Sequence, residues 1–228
     1  MTASAATRDG LPGWSSVLVV VAHPDDESFG LGAVISRFAA AGASVHVLCF
    51  THGEASTLNE TMADLRCARE SELCAAAAEL GVASTELCAY PDGGLDAAPV
   101  AELAGHVTAM IDRCRADGLL VFDESGVTGH PDHQAATGAA LHAASAAGLP
   151  ALAWALPAAV ARTLSQETGH AFAGRPPASL EVCLSVDRTA QRRAALTHAS
   201  QISPGAVLWR RLELLGDQEH LRWAYRPG

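Results

Sequence analysis

The chain has 228 residues, of which 49% are hydrophobic, so it can bury one substantial core but is short for two separate domains. Its formal net charge is −10, and its arginines are spread along the chain in ones and twos. Because nucleic acids and anionic membranes bind clustered positive charge, this pattern excludes both as expected partners.

The compartment is predicted from the first residues of the chain, from the length of its apolar runs and from its cysteines. The first residues are too polar for a signal peptide, and no apolar run approaches the roughly 18 to 20 residues of a membrane span. Six scattered cysteines form no CxxC pair, which is typical of a reduced interior. We therefore expect a cytoplasmic protein with a flexible leader over 1–14 and one catalytic domain over 15–228.

The first predicted elements form a βαβ unit. The run VLVVVA (17–22) is apolar and rich in β-branched residues, as in a strand covered on both faces. Residues 30–41 have helical spacing and precede Gly42, and residues 44–51 form the next apolar run. This order predicts a parallel pair with a right-handed crossover.

The same alternation continues along the chain. We predict, in order, a helix over 59–80, a strand over 85–90, a loop over 91–95, a helix over 97–116, a strand over 118–123, a loop to 133, a helix over 134–147, strands over 151–157 and 179–186, and a final helix over 188–201. The sequence therefore predicts a single α/β domain with a Rossmann-like open, mostly parallel sheet flanked by helices.

Ionisable residues follow two of these strands directly. They are His23, Asp25, Asp26 and Glu27 after the first strand, and His130, Asp132 and His133 after the strand at 118–123. Both clusters should meet at the carboxyl edge of a parallel sheet, where open α/β folds bind ligands. Imidazoles and a carboxylate without a thiolate suit zinc or a similar divalent metal, and a further carboxylate beside them suits a general base.

The first cluster also has a structural alternative. Taken alone, HPDD is compatible with a turn in which Pro24 fixes φ and the aspartates cap a helix that begins near Glu27 or Ser28. Two such clusters after β-type runs favour a functional site. Glu27 remains open as a helix cap or as a structural ion-pair partner.

Both motifs resemble those of a known family. AHPDDE (22–27) and GHPDH (129–133) closely resemble the PIG-L/LmbE superfamily of metal-dependent amide hydrolases, which includes zinc-dependent de-N-acetylases of N-acetylglucosaminylphosphatidylinositol. Weaker similarities are THGEAS (51–56), RESELCAAAAELGV (69–82), YPDGGL (90–95) and HASQ (198–201).

The resemblance implies a role for each matching residue. It implies that His23, Asp26 and His133 bind Zn²⁺ or another divalent transition metal, that Asp25 is the general base, that His130 as imidazolium stabilises the oxyanion or protonates the leaving amine, and that Asp132 orients a histidine. One position departs from the family, because Thr128 stands where some members carry a tyrosine proposed to assist at the oxyanion.

Two further residues are candidates for substrate binding. The guanidinium of Arg69 suits sugar hydroxyls or an anion, although a surface arginine paired with Glu70 or Glu72 is equally compatible with the sequence. Asp92, in a glycine-flanked loop, is either an acceptor for a sugar hydroxyl or a turn residue.

We expect a hydrolase that uses a zinc-activated water to remove an N-acetyl or other N-acyl group from a small-molecule amino sugar or its conjugate. The alternatives are a mycothiol-type amidase acting on thiol conjugates, a tailoring deacetylase for a glycosylated natural product, and a non-catalytic metal- or sugar-binding module, which the presence of Asp25 disfavours. A nucleotide-binding domain is disfavoured by the lack of G-x-G-x-x-G after the first strand. The sequence leaves a homo-oligomer open.

Overall fold

A computed structural model describes residues 10–58 and 64–228. The strands are β1 (Ser16–Val21), β2 (Ser44–Thr51), β3 (Ser84–Tyr90), β4 (Gly118–Phe122), β5 (Ala151–Trp154), β6 (Leu156–Pro157), β7 (Gly174–Arg175), β8 (Val182–Ser185) and β9 (Gln218–Tyr225). The helices are α1 (Asp26–Phe29), α2 (Gly32–Ala40), α3 (Leu65–Leu80), α4 (Val100–Cys114), α5 (Gly126–Gly129), α6 (Pro131–Ala147), α7 (Ala158–Thr168), α8 (Thr189–Thr197) and α9 (Val207–Leu215), with 3₁₀ turns at Leu95–Ala97 and Pro177–Ser179.

Within the described residues, seven strands form one sheet in the order β3-β2-β1-β4-β5-β9-β8, and β6 pairs with β7 separately. The pairs β1–β2, β2–β3, β1–β4 and β4–β5 are parallel, whereas β9 runs antiparallel to β5 and β8. This confirms the predicted open, mostly parallel α/β sheet.

Helices cover both faces of the sheet, as the uninterrupted apolar run of β1 predicts. Alternate side chains of β1 point to opposite faces. Val17 and Val19 belong to the core beneath α2, α3 and α8, whereas Leu18 and Val20 belong to the core beneath α4 and α6. All six residues of β1 are buried.

The strand order reverses between β1 and β4, since the chain builds outward from β1 through β2 to β3 and in the opposite direction from β4 to β5. A crevice opens at the carboxyl ends of strands where the order reverses. The loops that carry His23 and His133 follow β1 and β4, so both predicted clusters lie at this crevice.

Helix α6 begins earlier than the predicted residue 134. It begins at Pro131, a residue type favoured in the first helical turn, and His130 is its N-cap. The Nδ1 of His130 accepts a hydrogen bond from the backbone N–H of Asp132 at 3.2 Å. Asp132 and His133 therefore lie in the first turn of a helix and not in the predicted loop.

The C-terminal third differs most from the sequence prediction. The predicted strand over 151–157 divides into β5 and β6, and α7 lies in a segment for which no element was predicted. The helix predicted as the last is followed by α9 and β9. Strand β9 was not predicted because polar and charged residues interrupt its apolar pattern. One of them, Glu219, is buried and lies 2.5 Å from Arg188.

Two other predictions lie partly outside the described residues. The start of the helix predicted over 59–80 lies outside the described residues, and the described helix begins at Leu65. Most of the leader predicted over 1–14 also lies outside the described residues. Its last residue, Trp14, stacks on Phe38 with ring centroids 5.7 Å apart. Among the described helices, none combines the length and apolar character that crossing a bilayer requires.

Candidate active site

The loop after β1 places two adjacent aspartates in different environments. Asp26 opens α1, and its Oδ2 accepts hydrogen bonds from the backbone N–H groups of Ala22 at 3.2 Å and His23 at 2.9 Å. Asp25 has φ 120°, which an L-residue rarely adopts. Strained backbone of this kind persists where surrounding contacts hold it, often at functional sites.

Three predicted metal ligands converge. The Nδ1 of His23 lies 3.2 Å from Nε2 of His133, which lies 3.1 Å from Oδ1 of Asp26, and Nδ1 of His23 lies 3.6 Å from Oδ2 of the same carboxylate. Their ligand atoms all lie within 4.8 Å of one another. Among the described residues, they form one of the groups that could hold a metal ion.

The outward nitrogens of both histidines are fixed by acceptors. The Nδ1 of His133 donates to the carbonyl oxygen of Gly126 at 3.1 Å, and Nε2 of His23 faces Oδ1 of Asp92 at 3.0 Å and Oδ2 of Asp132 at 3.2 Å. In a neutral imidazole, a proton on the outward nitrogen leaves a lone pair on the inward one. Two lone pairs and a carboxylate therefore point at one position.

The surrounding charges favour a cation at this position. Burial would lower the pKa of His23, but hydrogen bonds to Asp132, Asp26 and Asp92 outweigh it and raise that pKa to about 12. Burial would also lower the pKa of His133, but the charge of Asp26 outweighs the effect of burial and raises the pKa of His133. Convergent donors in a site that favours positive charge fit a divalent metal held by two histidines and a carboxylate.

Asp132 links this centre to the loop after β3. It is fully buried, and its carboxylate accepts the backbone N–H groups of Gly93 at 2.8 Å and Leu95 at 3.0 Å in addition to facing His23. Carboxylates that bind the outer nitrogen of a ligand histidine fix the orientation of its ring. The contacts of Asp132 are of this kind, and its orienting role stays a prediction.

Arg69 contacts the chain's own groups. Its Nη1 donates to the carbonyl oxygen of Gly53 at 2.7 Å, and its Nη2 donates to the carbonyl oxygen of Pro24 and lies 2.9 Å from Oδ2 of Asp25. Burial raises the pKa of Asp25 to about 6, although the charge of Arg69 acts in the opposite direction. A substrate contact by Arg69 stays a prediction, while its observed contacts position Asp25.

Glu27 forms a buried network that the sequence did not resolve. Its Oε2 accepts the backbone N–H of Asp25 at 2.9 Å, and its Oε1 lies 2.8 Å from Nε2 of His198 and accepts the hydroxyl of Ser28 at 2.5 Å. Glu27 and His198 are both fully buried. Of the two readings left open for Glu27, the structure shows the ion-pair partner, and its acceptor holds the strained backbone of Asp25.

His130 stands beside the metal residues. Its ring stacks on His133 with centroids 4.7 Å apart and lies 4.9 Å from that of His23. Burial and the neighbouring His133 and His23 lower the pKa of His130, which works against the imidazolium form that the resemblance implies. Because Nδ1 accepts a backbone N–H, the proton of the neutral ring lies on Nε2.

Most of the predicted site residues line one cavity of about 340 Å³, which we call the polar cavity. Its lining comprises His23, Asp25, Asp26, Ala55, Ser56, Arg69, Asp92, Gly93, His130, His133 and Gln201. Asp132 lies behind it, and Thr128 is exposed outside it. Sequence reasoning assigned no role to Gln201, whose Oε1 accepts the hydroxyl of Ser56 at 2.6 Å, although the HASQ motif contained the signal.

The sequence of this chain is similar to those of known deacetylases. A relative from Nakamurella multipartita, a 1D-myo-inositol 2-acetamido-2-deoxy-alpha-D-glucopyranoside deacetylase, is 33% identical and aligns over 84% of this chain and 82% of its own. A probable N-acetylglucosaminyl-phosphatidylinositol de-N-acetylase from Schizosaccharomyces pombe is 34% identical over 52% of this chain and 47% of its own.

The fold is also shared with solved structures. The zinc-inhibited form of teicoplanin deacetylase superposes with a TM-score of 0.71 at 21% identity, covering 91% of this chain and 97% of that one. Residues 18–144 match the family model described as PIG-L, GlcNAc-PI de-N-acetylase. The resemblance predicted from the two motifs is therefore confirmed, and the chain belongs to the PIG-L family of de-N-acetylases.

Proposed function

We propose that this protein is a zinc-dependent hydrolase that removes an N-acyl group from an amino sugar or its conjugate. The observation that carries the proposal is the convergence of His23, His133 and Asp26 on one position beside Asp25, inside a polar cavity. The names of the relatives, deacetylases of acetylated glucosamine conjugates, support the same class of substrate.

His23, Asp26 and His133 would hold the metal, and zinc is the ion that best suits two imidazoles and a carboxylate. When bound, zinc would polarise the acyl carbonyl and lower the pKa of a water molecule. Asp92 and Asp132 keep the ring of His23 turned toward the ligand position through its Nε2.

Asp25 acts as the general base. A carboxyl with a pKa of about 6 is suited to accept a proton near neutral pH. It takes the proton of the attacking water while the water oxygen bonds to the acyl carbon. When the C–N bond breaks, the proton passes to the leaving amine, and the products are a carboxylate and an amino sugar. Arg69 and Glu27 hold Asp25 in place for both transfers.

His130 donates a hydrogen bond to the developing oxyanion from Nε2–H as a neutral ring. With His130 as the donor to the oxyanion, the hydroxyl of Thr128 does not have to take the role proposed for the tyrosine of some family members. Asp92, whose Oδ2 accepts the backbone N–H of Ala55 at 2.8 Å, presents a carboxylate to the sugar from the cavity wall.

The test is acetate release from N-acetylglucosamine, its inositol conjugates, thiol pseudodisaccharides and acetylated glycopeptide precursors, with zinc-loaded and chelated protein. Asp25→Asn should keep the metal and lose about 10²- to 10⁴-fold in kcat, whereas His133→Ala should lose the metal as well. Asp112→Asn, at an exposed position, is the matched control.

Metal analysis is made on the same samples. If the protein binds zinc but hydrolyses no N-acetyl substrate, the proposed function is wrong. If Asp25→Asn turns over at a near-normal rate, Asp25 is not the base.

A further inference from the structure

A second cavity of about 480 Å³ adjoins the metal residues, and we call it the apolar cavity. Its wall is built mainly from Phe29, Phe122, Val127, Trp154, Phe172, Val207 and Leu208. Val127 has φ 65°, a conformation that is strained for a β-branched residue. Large apolar cavities with a few polar groups are typical of ligand sites.

The apolar and polar cavities meet at the metal residues. Asp26, His133 and Gln201 line both of them. His23, Asp25, Arg69, Asp92 and His130 line the polar cavity only. The apolar cavity has three polar residues of its own, Thr128, Ser203 and Arg211. The reacting carbonyl therefore sits at a boundary, with polar walls on one side and apolar walls on the other.

An amide placed at this boundary has two substituents of different chemistry. The sugar amine carries hydroxyl groups, which match the carboxylates and backbone groups of the polar cavity. The acyl substituent then points into the apolar cavity. An acetyl methyl group, comparable in volume to one water molecule of about 30 Å³, would leave most of that cavity unfilled.

We propose that the apolar cavity binds the acyl chain of the substrate and that the enzyme prefers N-acyl groups of about four to eight carbons to N-acetyl. The inference rests on the proposed function for its orientation, since it places the amine in the polar cavity. It identifies the substrate class more narrowly, as an amino sugar that carries a medium-length N-acyl chain.

Arg211 is compatible with this occupant. Its guanidinium lies over the indole of Trp154, 5.1 Å from the ring centroid, and its Nη2 donates to the carbonyl oxygen of Phe29. Its charge is thus held against an aromatic face and a backbone acceptor. The aliphatic stem of the side chain adds apolar surface to the wall.

The first experiment is a chain-length series. Glucosamine carrying N-acetyl, N-butanoyl, N-hexanoyl and N-octanoyl groups is hydrolysed by zinc-loaded protein, and kcat/KM is measured for each. We expect kcat/KM to rise roughly fourfold for each buried methylene until the cavity is filled.

A cavity-filling variant tests the location. Val207→Trp places an indole in the apolar cavity and should abolish the rise with chain length, because the space for the chain is gone. Val100→Trp is the matched control, since it makes the same substitution at an exposed position on α4 that lines neither the apolar nor the polar cavity. Thermal unfolding of both variants checks that they fold.

A binding measurement separates this inference from the proposed function. Calorimetry with zinc-loaded Asp25→Asn compares the affinity of N-octanoylglucosamine with that of N-acetylglucosamine without turnover. Tighter binding of the octanoyl compound without hydrolysis by the wild type would support the cavity assignment and overturn the hydrolase proposal.

Three results overturn the inference itself. One is hydrolysis of N-acetyl at least as fast as that of every longer chain. Another is a Val207→Trp variant that keeps the chain-length dependence. The third is equal binding of the two ligands by Asp25→Asn; in that case a preference for glycosides with an apolar aglycone would identify the aglycone as the occupant.

Discussion

The buried contact between Glu27 and His198 gives the sharpest test of how Asp25 is held. The substitution Glu27→Gln keeps the size of the side chain but removes its charge and one of its two acceptor oxygens. In the native protein those oxygens meet the backbone N–H of Asp25, the hydroxyl of Ser28 and the ring of His198. A glutamine must therefore turn its NH₂ group toward at least one donor.

The magnitude follows from burial. A hydrogen bond to a charged group contributes about 1.5–3 kcal/mol, and removing one partner of a buried ion pair costs about 3–5 kcal/mol. Relaxation of the strained backbone of Asp25 offsets about 1 kcal/mol or more of this loss. We expect the free energy of unfolding to fall by about 3 kcal/mol, and Tm by roughly 6–12 °C for a chain of this size.

The assay is thermal and urea unfolding of Glu27→Gln beside Glu102→Gln, together with kcat of the zinc-loaded proteins. Glu102 is the matched control because it accepts a single hydrogen bond, from the hydroxyl of Tyr90 at 2.7 Å, at an exposed position. Adding His198→Gln completes a double-mutant cycle, for which we expect a coupling energy of about 1–3 kcal/mol. Equal stability and turnover of the two Glu→Gln variants, or additive effects in the cycle, would refute the reasoning.

Other substitutions test the remaining contacts. Asp132→Asn should weaken zinc affinity about 10- to 100-fold in a competitive chelator titration, whereas the exposed Asp112→Asn should not change it. Thr128→Val should lower kcat far less than His130→Ala, and an equal loss would show that the hydroxyl takes part. Burial would raise the pKa of Asp123, but hydrogen bonds from Arg175 and Ser125 outweigh it and lower that pKa below its ordinary 3.8. Asp123→Asn should therefore be less stable than the wild type in urea at pH 7, and the difference should shrink as the pH falls below 3.8, where the wild-type carboxylate takes up its proton.

Much of the fold and the meeting of the two clusters could be predicted because the evidence for them is local. Strand β1 is an uninterrupted apolar run, and the strand before the second cluster is another, so both clusters lie at strand ends. Parallel pairing then places both ends at one edge of the sheet. His23 and His133, separated by 110 residues, lie together for this reason.

The partners of the charged residues could not be predicted in the same way. Arg69 lies 44 residues from Asp25, and His198 lies 171 residues from Glu27. Each of these groups could satisfy its charge in solvent or with a nearby residue, so no spacing rule selects the partner. The positive φ of Asp25 could not be predicted from the sequence either, because it depends on contacts with Glu27 and Arg69 that form only in the fold.

The predicted metal ligands and much of the wall of the apolar cavity lie in different parts of the chain. The predicted metal ligands all lie within the segment 18–144 that matches the family model. Much of the wall of the apolar cavity lies beyond it, including Trp154, Phe172 and Val207. If the apolar cavity binds the acyl chain as we propose, substitutions among these wall residues should alter the preferred acyl length while the metal residues stay in place. The C-terminal third also supplies His198, which contacts Glu27 and through it the backbone of Asp25, and Gln201, which lines both cavities.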